Sequence, residues 1–384
     1  MNINIRKIHI IISIIAISFC QGLQYTVSPV LYLIGKHFTG VNVSFVQMLI
    51  TAPALLAMIV AVFSGWLVLK ISKKKLLVFG CFMCGVTGFI PFLSDSFGLL
   101  FFSRTLYGIG LGLATSLNAA VAADFFTGKE RVAVMGIQSA SIGAGIFFET
   151  LLCGFLGQFD FHFVYFVHII GFIAAILIAL LLPLRNESTV QSVKNNTVKL
   201  NRNVFRISFL GMIEFLFLIT FTTNIAMHLS GNLSGNTSIA GTLTGAFSFA
   251  QIISGLALSS VSRRTGRYTL PVAMLCFSIG AFLLFLFPSN FILLMAGAIF
   301  CGFSQGLFVP EAFFEIAESV QPVAVTMASA CFTCGMYTGQ LISPFILNVF
   351  STLLFHEVSS SKVYCISSVL ILVTAVFAAF RSRK

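Results

Sequence analysis

Three ionisable side chains stand deep inside apolar stretches: Arg104, Glu149 and Glu214. A charge in hydrocarbon costs about 2.5–3.5 kcal/mol even on the mildest insertion scales, so each should face a partner or a wet cavity. Arg104 lies in an apolar run from Gly98 to Val121, long enough to cross a bilayer. At about 1.5 Å per residue it sits about 9 Å from the start of that run. Glu149, in the run Val132 to Gly157, lies about 12 Å from the same side if consecutive runs alternate in direction. Similar depth on neighbouring helices predicts an Arg104–Glu149 ion pair. It could be a permanent pair that lets both charges be buried, or a latch that protonation or substrate releases. Glu214 has no intramembrane cation in its own half of the chain. Desolvation favours the neutral acid, which suits a proton carrier; the alternative is a carboxylate that reaches the water layer. Glu311, Glu315 and Glu318, about a turn apart, read as a wetted helix end with a possible part in gating.

Uncharged polar groups form a second set. Gln21, Gln24, Tyr25, Ser28 and Tyr32 share one face of the first apolar run, and Pro29 should loosen its backbone ladder. Asn118, Asn224, His228, Gln251, Gln305, Tyr337 and Gln340 are further candidates, each either a helix–helix hydrogen bond or a ligand contact. Covalent catalysis has no support: there is no nucleophile–base arrangement in a plausible site and no phosphate-cradling glycine loop. The chain therefore does not read as an enzyme, and transport would draw on a gradient, with no cofactor. The nine cysteines, including Cys81-x-x-Cys84 and Cys331-x-x-Cys334, lie inside apolar runs and read as small packing residues rather than a metal or redox site.

The elements that must position these groups are set by composition. With 58% hydrophobic and 9% charged residues and a mean hydropathy of +1.03, this 384-residue chain is a polytopic membrane protein. Its length suits about twelve crossings, with no room for a soluble domain. The first six runs are Ile8–Ile34, Ser44–Leu69, Leu76–Leu93, the Arg104 run, Val132–Gly157 and Phe161–Leu182. The polar stretch Arg185 to Asn203 follows as a linker. Six more runs come after it, at Ile207–Leu229, Ser238–Val261, Thr269–Phe287, Phe291–Ala312, Val323–Phe350 and Val358–Phe380. The expected fold is all-α, with twelve transmembrane helices in two six-helix bundles (residues 1–184 and 204–384) around the 185–203 linker. With both termini inside, 19 of the 22 basic residues fall in inner loops and only Lys36 and Lys362 in outer ones. That asymmetry favours cytoplasmic termini, and it makes the net charge of +11 a topology signal rather than a nucleic-acid one.

The stretch Arg104-x-x-x-Gly108-x-Gly110-x-Gly112 removes side chains where neighbouring backbones can close in. An arginine followed by these glycines in the fourth run resembles the helix-4 signature of the major facilitator superfamily, most like its twelve-helix drug:proton antiporters. Gly65 with Lys70, Lys73 and Lys74, and Arg263, Arg264, Gly266 and Arg267, stand where that family carries its inner loops. Leu69 and Arg263 replace the expected acidic residue, so the carboxylate that would latch the halves is missing. Asp124 to Arg131 resembles the family's loop after helix 4. Gly143 and Gly145 stand where exporters usually carry a glycine–proline pair. The resemblance implies alternating access, a cavity lined by helices 1, 4, 7 and 10, and a bacterial cytoplasmic membrane. It further implies a monomer partnered by lipid, protons and a small solute, with no nucleic acid. Aromatic residues and scattered amides suit proton-coupled efflux of a lipophilic or amphipathic compound. A specific metabolite permease, or a non-transporting sensor or scaffold on the same fold, are the alternatives.

Overall fold

The computed structural model describes residues 3–68, 70–93, 95–126, 128–184, 201–321 and 325–381, and these are all-helical. Residues 185–200 of the expected linker lie outside the described residues. The helices are α1 (Ile3–Gly22), α2 (Leu31–His37), α3 (Val43–Thr51), α4 (Pro53–Leu67), α5 (Lys73–Phe89), α6 (Phe97–Phe125), α7 (Gly128–Leu156) and α8 (Ile169–Leu181). After the linker come α9 (Arg202–Leu218), α10 (Thr220–His228), α11 (Thr237–Thr265), α12 (Thr269–Leu286), α13 (Phe291–Ser319), α14 (Val325–Phe355) and α15 (Ser360–Arg381).

Eleven stretches among the described residues are long and apolar enough to cross a bilayer. One of them, Thr237–Leu286, has 50 residues; straight, it would be about 75 Å long, more than twice the hydrocarbon thickness. It instead holds α11 and α12, which turn at Gly266, whose φ of 52° favours glycine. The eleven stretches are thus compatible with twelve crossings. Phe148, Leu180, Leu256 and Phe377 expose more than half of their surface, as lipid-facing side chains must, since no water is there to drive their burial.

Three spans are interrupted where backbone bonding fails. The first gives way to 3-10 turns at Leu23–Tyr25 and Ser28–Val30, upstream of and including Pro29. The second breaks between α3 and α4, because Pro53 has no N–H to give the Leu49 carbonyl four residues back. The break between α9 and α10 at Ile219 has no proline; there Thr220, Thr222 and Thr223 turn their hydroxyls onto carbonyls three or four residues back.

Glycines set the tightest packing. Gly108 and Gly112 share one face of α6 and lie against the α4 backbone at Pro53 and Ala57, while Gly110 faces Gly80 and Cys84 of α5. Gly145 lies against Phe19 of α1, and Gly143 against Ile252 of α11. The first eight helices pack mainly among themselves and the last seven likewise; α7 with α11, α3 and α4 with α14, and α2 with α10 join the two sets.

Candidate functional site

Arg104 is only 2% exposed, and its charge is met almost wholly by backbone oxygens. Its Nε donates to Leu49 O at 3.0 Å, the carbonyl that Pro53 leaves without a helical donor. Its Nη2 donates to Gln24 O at 2.6 Å, and Nη1 to Leu23 O at 3.4 Å, where α1 has given way. His168 completes the shell. Its Nδ1–H can donate to Cys84 O at 3.0 Å, which leaves Nε2 to accept from Arg104 Nη1 at 3.4 Å. The guanidinium also lies 5.1 Å from the Tyr107 ring centre. Arg104 therefore staples the broken first and second spans together.

The Arg104–Glu149 ion pair expected from depth is not formed. Glu149 is 2% exposed, and neither carboxylate oxygen has a hydrogen-bond partner among the described residues. It sits at the α1–α7 contact, so close to Gly22 that a side chain there would meet Oε2 at 2.6 Å. Equal depth fixes a position along the membrane normal but not which way a side chain points around its helix. Glu214, fully buried on α9, accepts from Ser304 Oγ on α13 at 2.7 Å, and its Oε2 has no partner among the described residues.

The polar stripe of the first span serves several purposes. Gln24 donates to Ile50 O at 3.1 Å and so joins the staple. Tyr25 lies beside Gln305 and near Tyr337 of the second half, and Tyr337 lies beside Thr115 on α6. Ser28 donates to Thr222 O at 2.6 Å, and Tyr32 packs on Gly235. Gln21 is buried, and its Nε2 has no partner among the described residues. Asn118 bonds Ser18 on α1 at 3.0 Å, and Asn224 accepts from Gln47 at 2.8 Å. His228 bonds Leu284 O at 2.8 Å and packs edge-on to Tyr364, a contact within the second half. Gln251 Oε1 and Gln340 Nε2 are buried without partners among the described residues. The structure thus brings together Tyr25, Thr115, Gln305 and Tyr337, an uncharged cluster between the halves.

The face that carries the basic loops is organised within each half. Lys73 pairs with Asp124 at 2.6 Å, Lys7 with Glu130 at 2.7 Å, and Ser262 donates to Glu311 at 3.1 Å. Lys70 stacks over Trp66, Arg267 over Tyr268, and Gly65 faces open space. Lys74 is half-buried in the first turn of α5; Arg263 and Arg264 are exposed in the last turn of α11, where cations suit the helix dipole. The Arg131 side chain lies outside the described residues. Glu315 and Glu318 line a shallow cavity of about 260 Å³ with Arg206.

Sequence reasoning missed His168, Gln47 and Asn348. Each carried a signal: an imidazole or amide inside an apolar run, where a polar group needs a partner.

A helical membrane bundle with interrupted spans, and polar groups gathered where two halves meet, has the build of a secondary transporter. The chain belongs to the Major Facilitator Superfamily, whose sequence model matches residues 13–207 and again 207–384. It is 24% identical over 338 residues to the quinolone resistance protein NorA of Staphylococcus aureus (strain MSSA476), covering 85% of this chain and 86% of that one. It is 27% identical over 213 residues to multidrug resistance protein 2 of Bacillus subtilis (strain 168), covering 53% and 52%. Its fold matches the nucleoside transporter NupG with a TM-score of 0.78 at 14% identity, over 98% of this chain and 100% of that one. The chain is a multi-pass membrane transporter.

Proposed function

We infer that this protein expels a small lipophilic or amphipathic compound in exchange for protons. Its two six-helix bundles, residues 1–184 and 204–384, joined by the 185–203 linker, rock against each other in twelve crossings of a bacterial cytoplasmic membrane. Both termini and the basic loops face the cytoplasm, and the protein works as a monomer without a cofactor. One observation carries the reading. Ser304, which holds the buried Glu214, is followed directly by Gln305, which meets Tyr25 across the halves. A proton on Glu214 and a solute at the uncharged Tyr25–Thr115–Gln305–Tyr337 cluster then act on the same turn of α13. An uncharged, aromatic and amide-lined site suits a compound that brings apolar surface and few charges. Resistance proteins among the relatives support efflux of this kind.

In vesicles, Glu214→Gln should still bind substrate while losing the dependence of transport on an imposed proton gradient. If Glu214→Gln and Glu149→Gln both keep the wild-type dependence, neither carries the proton and the coupling is refuted. Orientation is checked separately: an external thiol reagent should label a cysteine at Ser234 but not one at Asn195.

A further inference from the structure

On the face opposite the basic loops, the halves are closed by side chains that carry no charge. Asn348 Nδ2 of α14 donates to Ser44 Oγ at 2.9 Å and to Gln47 Oε1 at 2.7 Å, both on α3. Gln47 Nε2 donates to Asn224 Oδ1 on α10 at 2.8 Å, and Asn224 Nδ2 donates to Thr220 O at 3.1 Å. All four side chains are buried: Ser44 at 6%, Gln47 at 1%, Asn224 at 2% and Asn348 at 5%.

The direction of this ladder follows from one backbone group. Thr220 O can only accept, so Asn224 must turn its NH₂ to it and its oxygen to Gln47. Gln47 must then present NH₂ to Asn224 and oxygen to Asn348, and Asn348 must present NH₂. Neither Gln47 nor Asn224 can flip without losing a bond at both ends. Gln47 hydrogen-bonds two helices of the other half, α10 and α14, at once.

We propose that Gln47 is the positioning residue of the closure on this face: it holds α10 and α14 against α3, and its release opens the site there. This rests on the alternating-access reading. The ladder suits a switch, because water can replace each neutral bond on opening and the net cost of release is small. Ser28 on Thr222 O, and Thr237 Oγ1 on Gly154 O at 2.8 Å, close the two flanking seams.

The test places spin labels at the exposed Gly40 and Glu357, one in each half, after Cys276, Cys331, Cys334 and Cys365 have been replaced by serine. Distances are measured in reconstituted protein. Gln47→Leu removes both of Gln47's own bonds across the seam, leaving Asn348 on Ser44, and should move the equilibrium towards the longer separation by about tenfold. Gln47→Glu adds a sign test. Ionised, it cannot donate to Asn224 and should favour the long distance; protonated in mild acid, it regains a donor and the short distance should return in the same sample. That reversal cannot come from misfolding. Wild type and Gln47→Leu, taken through the same pH steps, supply the baseline. If the short population survives both substitutions while wild type shows two distances, the proposal is overturned. A wild type that keeps one distance with and without a gradient refutes the alternating-access reading instead.

Discussion

Removing Arg104 tests whether it is a staple or half of an ion pair. Arg104→Met keeps much of the volume and removes every donor. Gln24 O and Leu49 O, held at 2.6 and 3.0 Å, would become buried acceptors without partners. Leu23 O matters less, because Thr26 Oγ1 also donates to it at 2.9 Å. Two orphaned acceptors at about 1–3 kcal/mol each give a loss of about 2–6 kcal/mol. Relief of the guanidinium's desolvation offsets part of it. Set against a total stability of about 5–15 kcal/mol, that is a large fraction. Arg104→Lys keeps the charge but has no planar fork to serve several carbonyls, so it should fall between wild type and methionine. Unfolding in mixed detergent micelles, titrated with sodium dodecyl sulfate, reads all three. The decisive arm adds Glu149→Gln. With no bond between the two groups, the losses should add to within about 0.5 kcal/mol. If Glu149→Gln instead rescues Arg104→Met, Arg104 does answer to that carboxylate and the staple is wrong.

Other substitutions probe separate parts of the molecule. Gly241→Leu puts a side chain where Thr150 O would lie 2.6 Å and Gly154 Cα 2.8 Å from its Cβ, so α11 must leave α7 and transport should fall at least tenfold, whereas Gly65→Ala, facing open space, should transport like wild type. Tyr25→Phe and Gln305→Ala should each weaken substrate binding several-fold in a direct binding assay while leaving the unfolding midpoint within a small shift. Partial burial pushes the Asp160 carboxyl up, but the His162 N–H at 2.8 Å and its ring at 2.7 Å hold it on balance below the usual aspartate range. A depressed value in the folded state adds stability above the ordinary aspartate range and loses it as pH falls through the lowered value. Asp160→Asn should therefore flatten the acid limb of thermal stability, read by melting between about pH 2 and 5, with little change in transport at pH 7.

What could be read from the sequence followed from properties that residues carry alone. Apolar length marks spans, and basic residues mark loops, whatever the neighbours are. The staple was hidden because Arg104 is met by backbone carbonyls, which every residue has and no residue type advertises. Pro53 was the legible clue, since a proline inside a span frees the carbonyl four residues back, here Leu49. The amide ladder was hidden for another reason. Gln47 and Asn348 stand 301 positions apart, and only the folded chain decides that they meet. The break at Ile219 gave no proline signal at all, yet the Thr-rich run Thr220-Phe-Thr222-Thr223 was visible.

The breaks are mended differently in the two halves, and that difference bears on which half bends. In the first, Arg104 bonds to groups 55, 80 and 81 positions away, so any hinge there must tear charge-assisted contacts between helices. In the second, Thr220, Thr222 and Thr223 bond three or four residues back, and those bonds travel with the helix as it moves. The contacts that tie this break to other elements, among them Ser28 Oγ to Thr222 O, Ser343 Oγ to Leu216 O and Tyr364 OH to Phe221 O, are neutral. Movement at the outer closure should therefore bend the α9–α10 span and leave the first span stiff. Hydrogen exchange in detergent should be faster at amides 219–223 than at 23–26 in wild type, and Arg104→Met should raise the second group towards the first. Equal protection of both breaks in wild type would show that charge-assisted and local neutral bonding confer the same stiffness here, and the assignment of the hinge to the second half would fall.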